Sequence, residues 1–234
     1  MNSKLSSKNI LFIYLFPSTF VLRDFDILSK SNNVVKYEFK ASKNKIKILT
    51  SLIKQFFYLL LNIKRFDVLY IWFSDYHSFI PVIFAKLFNI KSIIIIGGFD
   101  VTGISYLNYG IKVSNKIRIF FNKYSIINAK YLLPVHKSLI KNTNTYIDPL
   151  TPIFNGIYSI SDEIKGRIIE LPTGYDYNFW KRNYEINRTN SVFCIASIDN
   201  FRTFNLKGGD LLIDVAKLLL DIEFHFLWNK EKFY

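Results

Sequence analysis

The sequence contains a single cysteine, Cys194, and therefore cannot form an internal disulfide. One free thiol fits a reducing compartment. Cys194 lies in an apolar run, which is typical of a buried, inert thiol rather than of a nucleophile. No group of His, Cys or acidic residues has the spacing of a metal site. We therefore expect neither a metal nor a cofactor.

Several catalytic motifs are also missing. The first apolar run is not followed by a G-x-G-x-x-G fingerprint, which argues against an ordinary dinucleotide site there. The sequence has no Walker A loop and no G-x-S-x-G nucleophile elbow. These absences argue against a P-loop NTPase and an α/β-hydrolase.

Long hydrophobic runs are absent too. The run Ile10–Phe16 is short, and Pro17 follows it without a cleavage site, so no secretory signal is evident. No stretch reaches the roughly 18 apolar residues that a membrane-spanning helix needs. The longest candidate, Gln55–Ile63, is bounded by Lys54 and Lys64. We expect a cytoplasmic protein.

Positive charge is abundant, because 31 Lys and Arg against 18 Asp and Glu give a formal net charge of +13. Such an excess favours nucleic acid, acidic lipid or a phosphorylated small molecule as partner. The sequence is also rich in Ile, Asn, Phe and Tyr, the bias that A/T-rich coding produces without selection for charge. The basic residues are scattered singly rather than gathered in a stripe, which argues against a nucleic-acid surface.

Short apolar runs alternate with longer amphipathic ones. Strands apolar on both faces, separated by helices, predict a parallel sheet covered on both sides, here a doubly wound Rossmann-like α/β domain. Pro81 is expected in the first turn of its helix. The predicted strands are Ile10–Phe16, Val34–Phe39, Val68–Phe73, Ser92–Ile96 and Tyr131–Pro134. The predicted helices are Ser18–Ser29, Lys45–Lys64, Phe79–Phe88, Ile111–Ile127 and Val135–Lys141.

The pattern changes in the second half of the chain. A polar segment, Asn142–Asp162, contains Pro149, Pro152 and Gly156 and is predicted to be a loop or an insertion. Regular structure is predicted to resume at Arg167–Leu171. We place the first domain at 1–182, with a short helix predicted over Tyr175–Arg182, and a polar linker at 183–190.

A second unit is predicted over 191–234. It has a strand at Val192–Ile198, a helix at Asp210–Leu220 and a strand at Ile222–Leu227. One such unit cannot bury its own apolar faces. We therefore expect it to be the truncated start of a second Rossmann-like domain.

Ligands of open α/β sheets bind beyond the carboxyl ends of the strands. After the first strand, Ser18 is positioned to cap the next helix or to face a ligand. After the third strand, Asp75 and His77 are candidate substrate-facing groups, with helix capping as the alternative for Asp75.

The fourth predicted strand is followed by Gly97, Gly98 and Asp100. Paired glycines permit close approach of a ligand to the backbone, and a carboxylate accepts hydrogen bonds from sugar hydroxyls. A tight turn without a ligand is the alternative.

In the second unit, Arg202 and the run Lys207, Gly208 and Gly209 lie between a strand and a helix. A lysine beside glycine amides at a helix N-terminus favours an anion such as a diphosphate. A solvated loop is the alternative.

Taken together, four segments resemble GT-B-fold glycosyltransferases of the family 4 type (glycosyl transferase group 1). The segments are FDVLYIWFSDYHSFIPVIFAKLFNIKSIIIIGGFDV (66–101), YLLPVHKSLIKN (131–142), LPTGYDYNFWKR (171–182) and LKGGDLLIDVAKLL (206–219). The third is similar to the family's stretch before the inter-domain linker, and the fourth to its lysine–glycine segment. Their order and spacing carry the resemblance.

The resemblance implies two Rossmann-like domains that face each other across a cleft, and catalysis that requires no metal. The C-terminal domain would bind a nucleotide-diphosphate sugar, with Lys207 neutralising the diphosphate. Ser197 stands where the family has an arginine, so Arg202 would have to reach the donor instead. Thr173 and Gly174 fall in the stretch before the linker and would border the cleft.

The N-terminal domain would bind the acceptor. The family often has a histidine after the fourth strand, where this chain has Gly98 and Asp100. The family's donor-gripping pair of glutamates would lie beyond Tyr234. The resemblance therefore predicts a truncated fragment that binds donor poorly and turns over slowly.

These observations predict a retaining glycosyltransferase that moves a sugar from a nucleotide-sugar donor to a glycan or lipid-linked acceptor. A non-catalytic glycan- or partner-binding module is the alternative, and a nucleic-acid-binding protein is disfavoured by the scattered charge. The basic, amphipathic stretch Lys45–Arg65 either packs in the core or contacts an anionic membrane at its inner face.

Overall fold

A computed structural model describes residues 6–145 and 150–228. The chain divides into two units, the first extending to Gly174 and the second beginning at Tyr175. The domain bounds expected from the sequence (1–182, 183–190 and 191–234) stay a prediction. Each unit is described by itself.

The first unit is built on a parallel sheet of six strands in the order β2-β1-β3-β4-β5-β8. The second strand lies on one side of β1, and the third and later strands of this sheet lie on the other side. The chain therefore reverses its direction across the sheet at β1, and the topological switch point lies between β1 and β3. A separate antiparallel pair is formed by β6 and β7. The strands are β1 Asn9–Tyr14, β2 Asn33–Glu38, β3 Val68–Trp72, β4 Lys91–Ile96, β5 Tyr131–Pro134, β6 Asn142–Asn144, β7 Ile153–Asn155 and β8 Arg167–Ile168.

Helices cover both faces of this sheet, as the apolar strands require. Helix α1 (Thr19–Ser29) packs on one face, against a cluster that includes Phe12 and Trp72. The opposite face packs against α2 (Lys45–Asn62), α3 (Tyr76–Leu87) and α4 (Lys116–Asn128). The predicted doubly wound, Rossmann-like fold is confirmed.

Three predicted helices differ from the structure. The helix expected over 111–127 is broken, because a 3-10 segment (Ile111–Val113) precedes Asn115, whose side chain caps α4. Only a 3-10 turn, Lys137–Leu139, forms in 135–141. No helix forms in 175–182.

Two further predictions need correction. Helix α3 begins at Tyr76, so Pro81 lies inside the helix rather than in its first turn. The segment expected to be a loop over 142–162 contains β6 and β7. Pro149 lies outside the described residues.

Helix α2 leaves much of its apolar surface exposed. Its inner side packs in the core through Leu59, and the Gln55 side chain donates to the backbone oxygen of His77 at 2.9 Å. The rest of its surface carries exposed apolar residues: Ile46, Leu49, Ile53, Phe56, Phe57, Leu60 and Leu61. By length and composition the stretch Lys45–Arg65 is apolar enough to cross a membrane, contrary to the prediction from the sequence. In this structure it is a surface helix of the first unit.

Among its described residues, 175–228, the second unit contains two parallel strands and two helices. They are β9 (Ser191–Ala196), α5 (Phe201–Leu206), α6 (Gly209–Leu218) and β10 (Glu223–Trp228). Along β9, half-buried residues alternate with exposed ones, among them Phe193 and Ile195. The apolar face is left open, as expected of a lone unit of this kind. Helix α5 was not predicted.

Candidate ligand cleft and the loop of the second unit

A crevice of about 250 Å³ lies at the carboxyl ends of β1, β3 and β4. This place is the switch point of the sheet, where ligands of doubly wound proteins bind. Its walls come from residues that follow three strands and from one residue of α4: Leu15, Phe16, Phe73, Ser74, Asp75, Phe99, Asp100 and Arg118. The fold thus brings Asp75 and Asp100, both predicted from the sequence, to one crevice.

Asp75 has two structural roles in this crevice. Its carboxylate caps α3 by accepting from the Tyr76 amide at 2.7 Å, and it forms a capping box with Ser78. The same carboxylate pairs with Arg118, whose Nε donates at 2.8 Å and whose Nη2 contacts the second oxygen. This hydrogen bond raises the pKa of the Arg118 guanidinium. The capping interpretation of Asp75 therefore applies.

Arg118 is the cation of the crevice, and sequence reasoning missed it. Its guanidinium lies over the ring of Phe99, 5.0 Å from the centroid, and its side chain keeps 28% of its surface exposed. Only the three-dimensional fold joins it to Asp75, 43 residues earlier. The partly exposed guanidinium can still donate to an anionic or hydroxyl-rich ligand.

Asp100 is almost fully buried, and its two oxygens are used by the backbone. They accept from the Gly98 amide at 2.9 Å and from the Ser74 amide at 3.1 Å. Burial raises the pKa of this carboxyl to about 6, although these amides oppose the shift. Asn122 of α4 donates to the carbonyls of Ser74 and Asp100 at 2.9 and 3.0 Å. Asp100 thus holds the ends of β3 and β4 together rather than offering a free carboxylate.

Close packing explains why Gly97 is a glycine. A Cβ at this position would lie 2.1 Å from the Phe73 ring. Phe73 itself adopts a left-handed backbone conformation, with φ of 68°, which is costly for an aromatic residue. Gly98 also has a positive φ, of 123°. The predicted glycine turn forms at the crevice, and strain is concentrated beside it.

His77 does not face a ligand as predicted, and Ser18 stands at the predicted helix start. His77 is completely buried, and its Nε2 lies 2.8 Å from the carbonyl oxygen of Trp72, so it cannot contact a ligand in this structure. Burial lowers its pKa. Ser18 occupies the N-cap position of α1 but its side chain forms no capping hydrogen bond. The apolar neighbours of His77 were the available signal for its burial.

Two further hollows lie in a row with the crevice: the first adjoins the crevice and the second adjoins the first. The first, of about 320 Å³, shares Leu15, Asp75 and Arg118 with the crevice, and is rimmed by Lys43 and Lys45. The second, of about 430 Å³, lies between α2 and α4 and is mostly apolar. Neither hollow was predicted, because the residues of each come from distant segments.

The predicted donor residues lie in the second unit. Ser197 is exposed directly after β9, and Arg202 lies on α5. Lys207 is exposed at the C-cap of α5, and Gly208, with φ of 71°, is the N-cap of α6. Gly208 and the amides that follow it therefore stand at a helix N-terminus, as the sequence predicted.

Thr173 and Gly174 are exposed at the end of the first unit. Among the described residues, no group of three or more His, Cys, Asp or Glu could hold a metal ion. The predicted absence of a cofactor stays a prediction.

Together, the strand order and the crevice define a Rossmann-like α/β protein with a crevice at its switch point. No protein-family model matches the sequence, and no curated protein matches it. The solved structures that the chain matches include the following two. MurG from Acinetobacter baumannii has 10% identity and a TM-score of 0.40 over 97% of this chain and 67% of that chain.

The second is UGT89C1 from Arabidopsis thaliana complexed with UDP-L-rhamnose. It has 14% identity and a TM-score of 0.47 over 97% of this chain and 66% of that chain. This chain thus spans about two thirds of the length of each. At these scores neither likeness identifies a function, and the fold class rests on the strand order itself.

Proposed function

We propose that the protein is a retaining glycosyltransferase of GT-B type. It would transfer a sugar from a nucleotide-sugar donor to a glycan or lipid-linked acceptor, without metal or cofactor. The observation that carries this proposal is the crevice at the switch point, followed along the chain by a second strand–helix–strand unit. The four sequence segments that resemble family 4 glycosyltransferases support it.

The acceptor would bind in the crevice of the first unit. Arg118 supplies donors and the Phe99 ring supplies an apolar surface. Such a combination suits a sugar, which presents hydroxyls at its edge and an apolar face. Asp100 would act by holding the two strand ends in place.

The donor diphosphate would bind at Lys207 and the N-terminus of α6. Unpaired amides and the helix dipole favour a negative charge there, and an exposed lysine adds a full positive charge. Asp210 in the first turn of α6 opposes this attraction. Ser197 and Arg202 would contribute further hydrogen bonds.

The test is calorimetric titration of the purified chain with UDP-, GDP- and ADP-sugars. We expect one of them to bind, Lys207→Ala to weaken binding by about tenfold, and Asp210→Asn to strengthen it. Lys217→Ala is the matched control, because Lys217 is an exposed lysine of the same unit that pairs with Asp214. Equal losses for both lysine variants, or no binding of any donor, would contradict the proposal.

The sequence-based expectation of slow turnover stays a prediction. Transfer or hydrolysis of the bound donor measures it, and the anomeric configuration of the product tests the retaining mechanism.

The alternative function is a non-catalytic module that binds a glycan or partner. The exposed apolar side of α2 and the open face of β9 favour it. It predicts glycan binding without affinity for any nucleotide sugar, so the same titrations separate the two functions.

We also propose that the protein acts at the cytoplasmic side of a membrane through peripheral contact. The exposed apolar side of α2, flanked by Lys47 and Lys54, supports this contact. Co-sedimentation with phosphatidylglycerol vesicles should occur and should be lost in the Lys47→Glu, Lys54→Glu variant. Sedimentation that this variant leaves unchanged would refute it.

A further inference from the structure

The crevice and the two hollows lie in a row in the first unit, and we call this row the groove. The crevice shares Leu15, Asp75 and Arg118 with the middle hollow. The middle hollow in turn shares Lys45, Ile48, Tyr76 and Asn115 with the hollow between α2 and α4. The shared residues therefore place the three hollows side by side, from the switch point of the sheet to the outer helices.

The chemistry of this groove changes along its length. The end between α2 and α4 is walled by apolar side chains, among them Leu49 and Ile117, which are 57% and 64% exposed. Such apolar surface in a concavity favours a hydrocarbon ligand. Phe121 closes its floor and is held by stacking on Phe79, with ring centroids 4.0 Å apart.

Positive charge lies between the two ends. Lys43 and Lys45 border the middle hollow, and Lys116 borders its apolar neighbour. The carboxylate in the middle hollow, Asp75, is already paired with Arg118. The lysines therefore leave an excess of positive charge, which complements a phosphate.

We infer that the acceptor is a lipid-linked sugar phosphate and that one molecule of it binds along this groove. Its hydrocarbon chain would lie between α2 and α4, its phosphate beside Lys43 and Lys45, and its sugar in the crevice near Arg118. This inference rests on the proposed function and selects one of its two acceptor classes. A soluble glycan would leave the apolar end unused.

The experiment titrates the full chain with farnesyl monophosphate below its micellar concentration, and in parallel with farnesol and with inorganic phosphate. We expect saturable binding of farnesyl monophosphate that is about tenfold tighter than that of farnesol. Inorganic phosphate should bind more weakly than either. Equal affinities for the two prenyl compounds would overturn the role of the lysines.

Matched variants locate the binding site. Leu49→Glu and Ile117→Glu change exposed positions and should each weaken farnesyl monophosphate binding by about tenfold or more. Lys45→Gln should weaken binding of farnesyl monophosphate but not of farnesol. The controls, Leu61→Glu and Lys54→Gln, alter exposed residues of α2 outside the groove and should leave binding within about twofold. Equal losses at Leu49 and Leu61 would place the ligand on the outer side of α2 and refute the groove.

The donor titration separates this inference from the proposed function. Lys207→Ala should leave farnesyl monophosphate binding unchanged while it weakens donor binding. Donor binding without prenyl phosphate binding would overturn only the lipid-linked acceptor. Prenyl phosphate binding without donor binding would support the groove and contradict the transferase.

Discussion

Asp75 and Arg118 are joined by two hydrogen bonds from one guanidinium, so that the residue that caps α3 also fixes the first turn of α4. The carboxylate is 8% exposed and the arginine side chain 28% exposed. The pair thus lies at the border of the core, and its burial is intermediate between that of fully buried ion pairs and that of surface ion pairs. The contribution of the Asp75–Arg118 pair to the free energy of unfolding can be measured separately from that of the helix cap.

A double-mutant cycle of Asp75→Ala and Arg118→Ala should give a coupling energy of about 2 kcal/mol in urea unfolding. Partial burial limits solvent screening of the pair, and the bidentate geometry adds to the coupling. The comparison pair, Asp214 and Lys217, is 69% exposed on both sides and should couple by about 0.5 kcal/mol or less. A coupling at Asp75 no larger than at this exposed pair would contradict the prediction.

The buried carboxyl of Asp100 makes stability depend on pH. Its pKa is raised from 3.8 to about 6, so the folded chain binds more protons than the unfolded chain between these values. The contribution of the protonated Asp100 carboxyl to the free energy of unfolding is complete below about pH 4 and is lost as the pH rises through about 6. Measured by urea unfolding, the stability of the wild type relative to Asp100→Asn should fall by up to about 3 kcal/mol from pH 4 to pH 7.

This comparison cancels the opposing effect of His77. Its lowered pKa means that the unfolded chain takes up a proton as the pH falls below the ordinary value, which reduces stability in acid. Both proteins in the comparison retain His77, so the difference isolates Asp100. A difference that stays constant across the range would rule out a raised pKa at Asp100.

His77 should remain neutral and carry its proton on Nε2. The carbonyl oxygen of Trp72 can only accept, so the nitrogen 2.8 Å away must donate. Imidazole ¹⁵N chemical shifts should show this single tautomer at about pH 7. His136, which is exposed, should react with diethylpyrocarbonate while His77 is protected. Modification of both histidines at similar rates would show that His77 is accessible.

Gly97→Ala should destabilise the first unit by about 2 kcal/mol, because the new methyl group collides with the Phe73 ring. Gly174→Ala is the control. A Cβ at Gly174 meets nothing within 4 Å, and the change should alter stability by less than about 0.5 kcal/mol. Thermal unfolding of both variants measures the difference. If Gly97→Ala were neutral, the contact with Phe73 would not determine this position.

The sheet was predictable because its strands are short apolar runs such as Ser92–Ile96, whose burial on both faces leaves a clear pattern in the sequence. The break before α4 was less visible. Ser114 and Asn115 interrupt the apolar run, but the helical periodicity continues across them, and only the cap from Asn115 to the Arg118 amide at 3.0 Å shows where the helix begins.

The candidate site was only partly predictable. Asp75, Gly97 and Asp100 were found because they follow strands in the sequence. The sequence did not reveal the roles of Arg118, Lys43 and Lys45. A residue that reaches a crevice from a distant helix or loop leaves no pattern in the sequence around it. The roles of Asp100 and His77 differ from those considered from the sequence. Both side chains are buried and bonded to the backbone, and these properties arise only in the assembled fold.

The Asn115 cap has one more consequence. Asn115 also donates to the Tyr76 hydroxyl at 2.9 Å, so the start of α4 is anchored to α3 as well as to Ser114, whose hydroxyl accepts from Arg118 Nη1 at 3.4 Å. Changes of length within residues 102–113 should therefore leave the guanidinium where it is. That segment can vary in sequence while the charged centre of the crevice stays fixed.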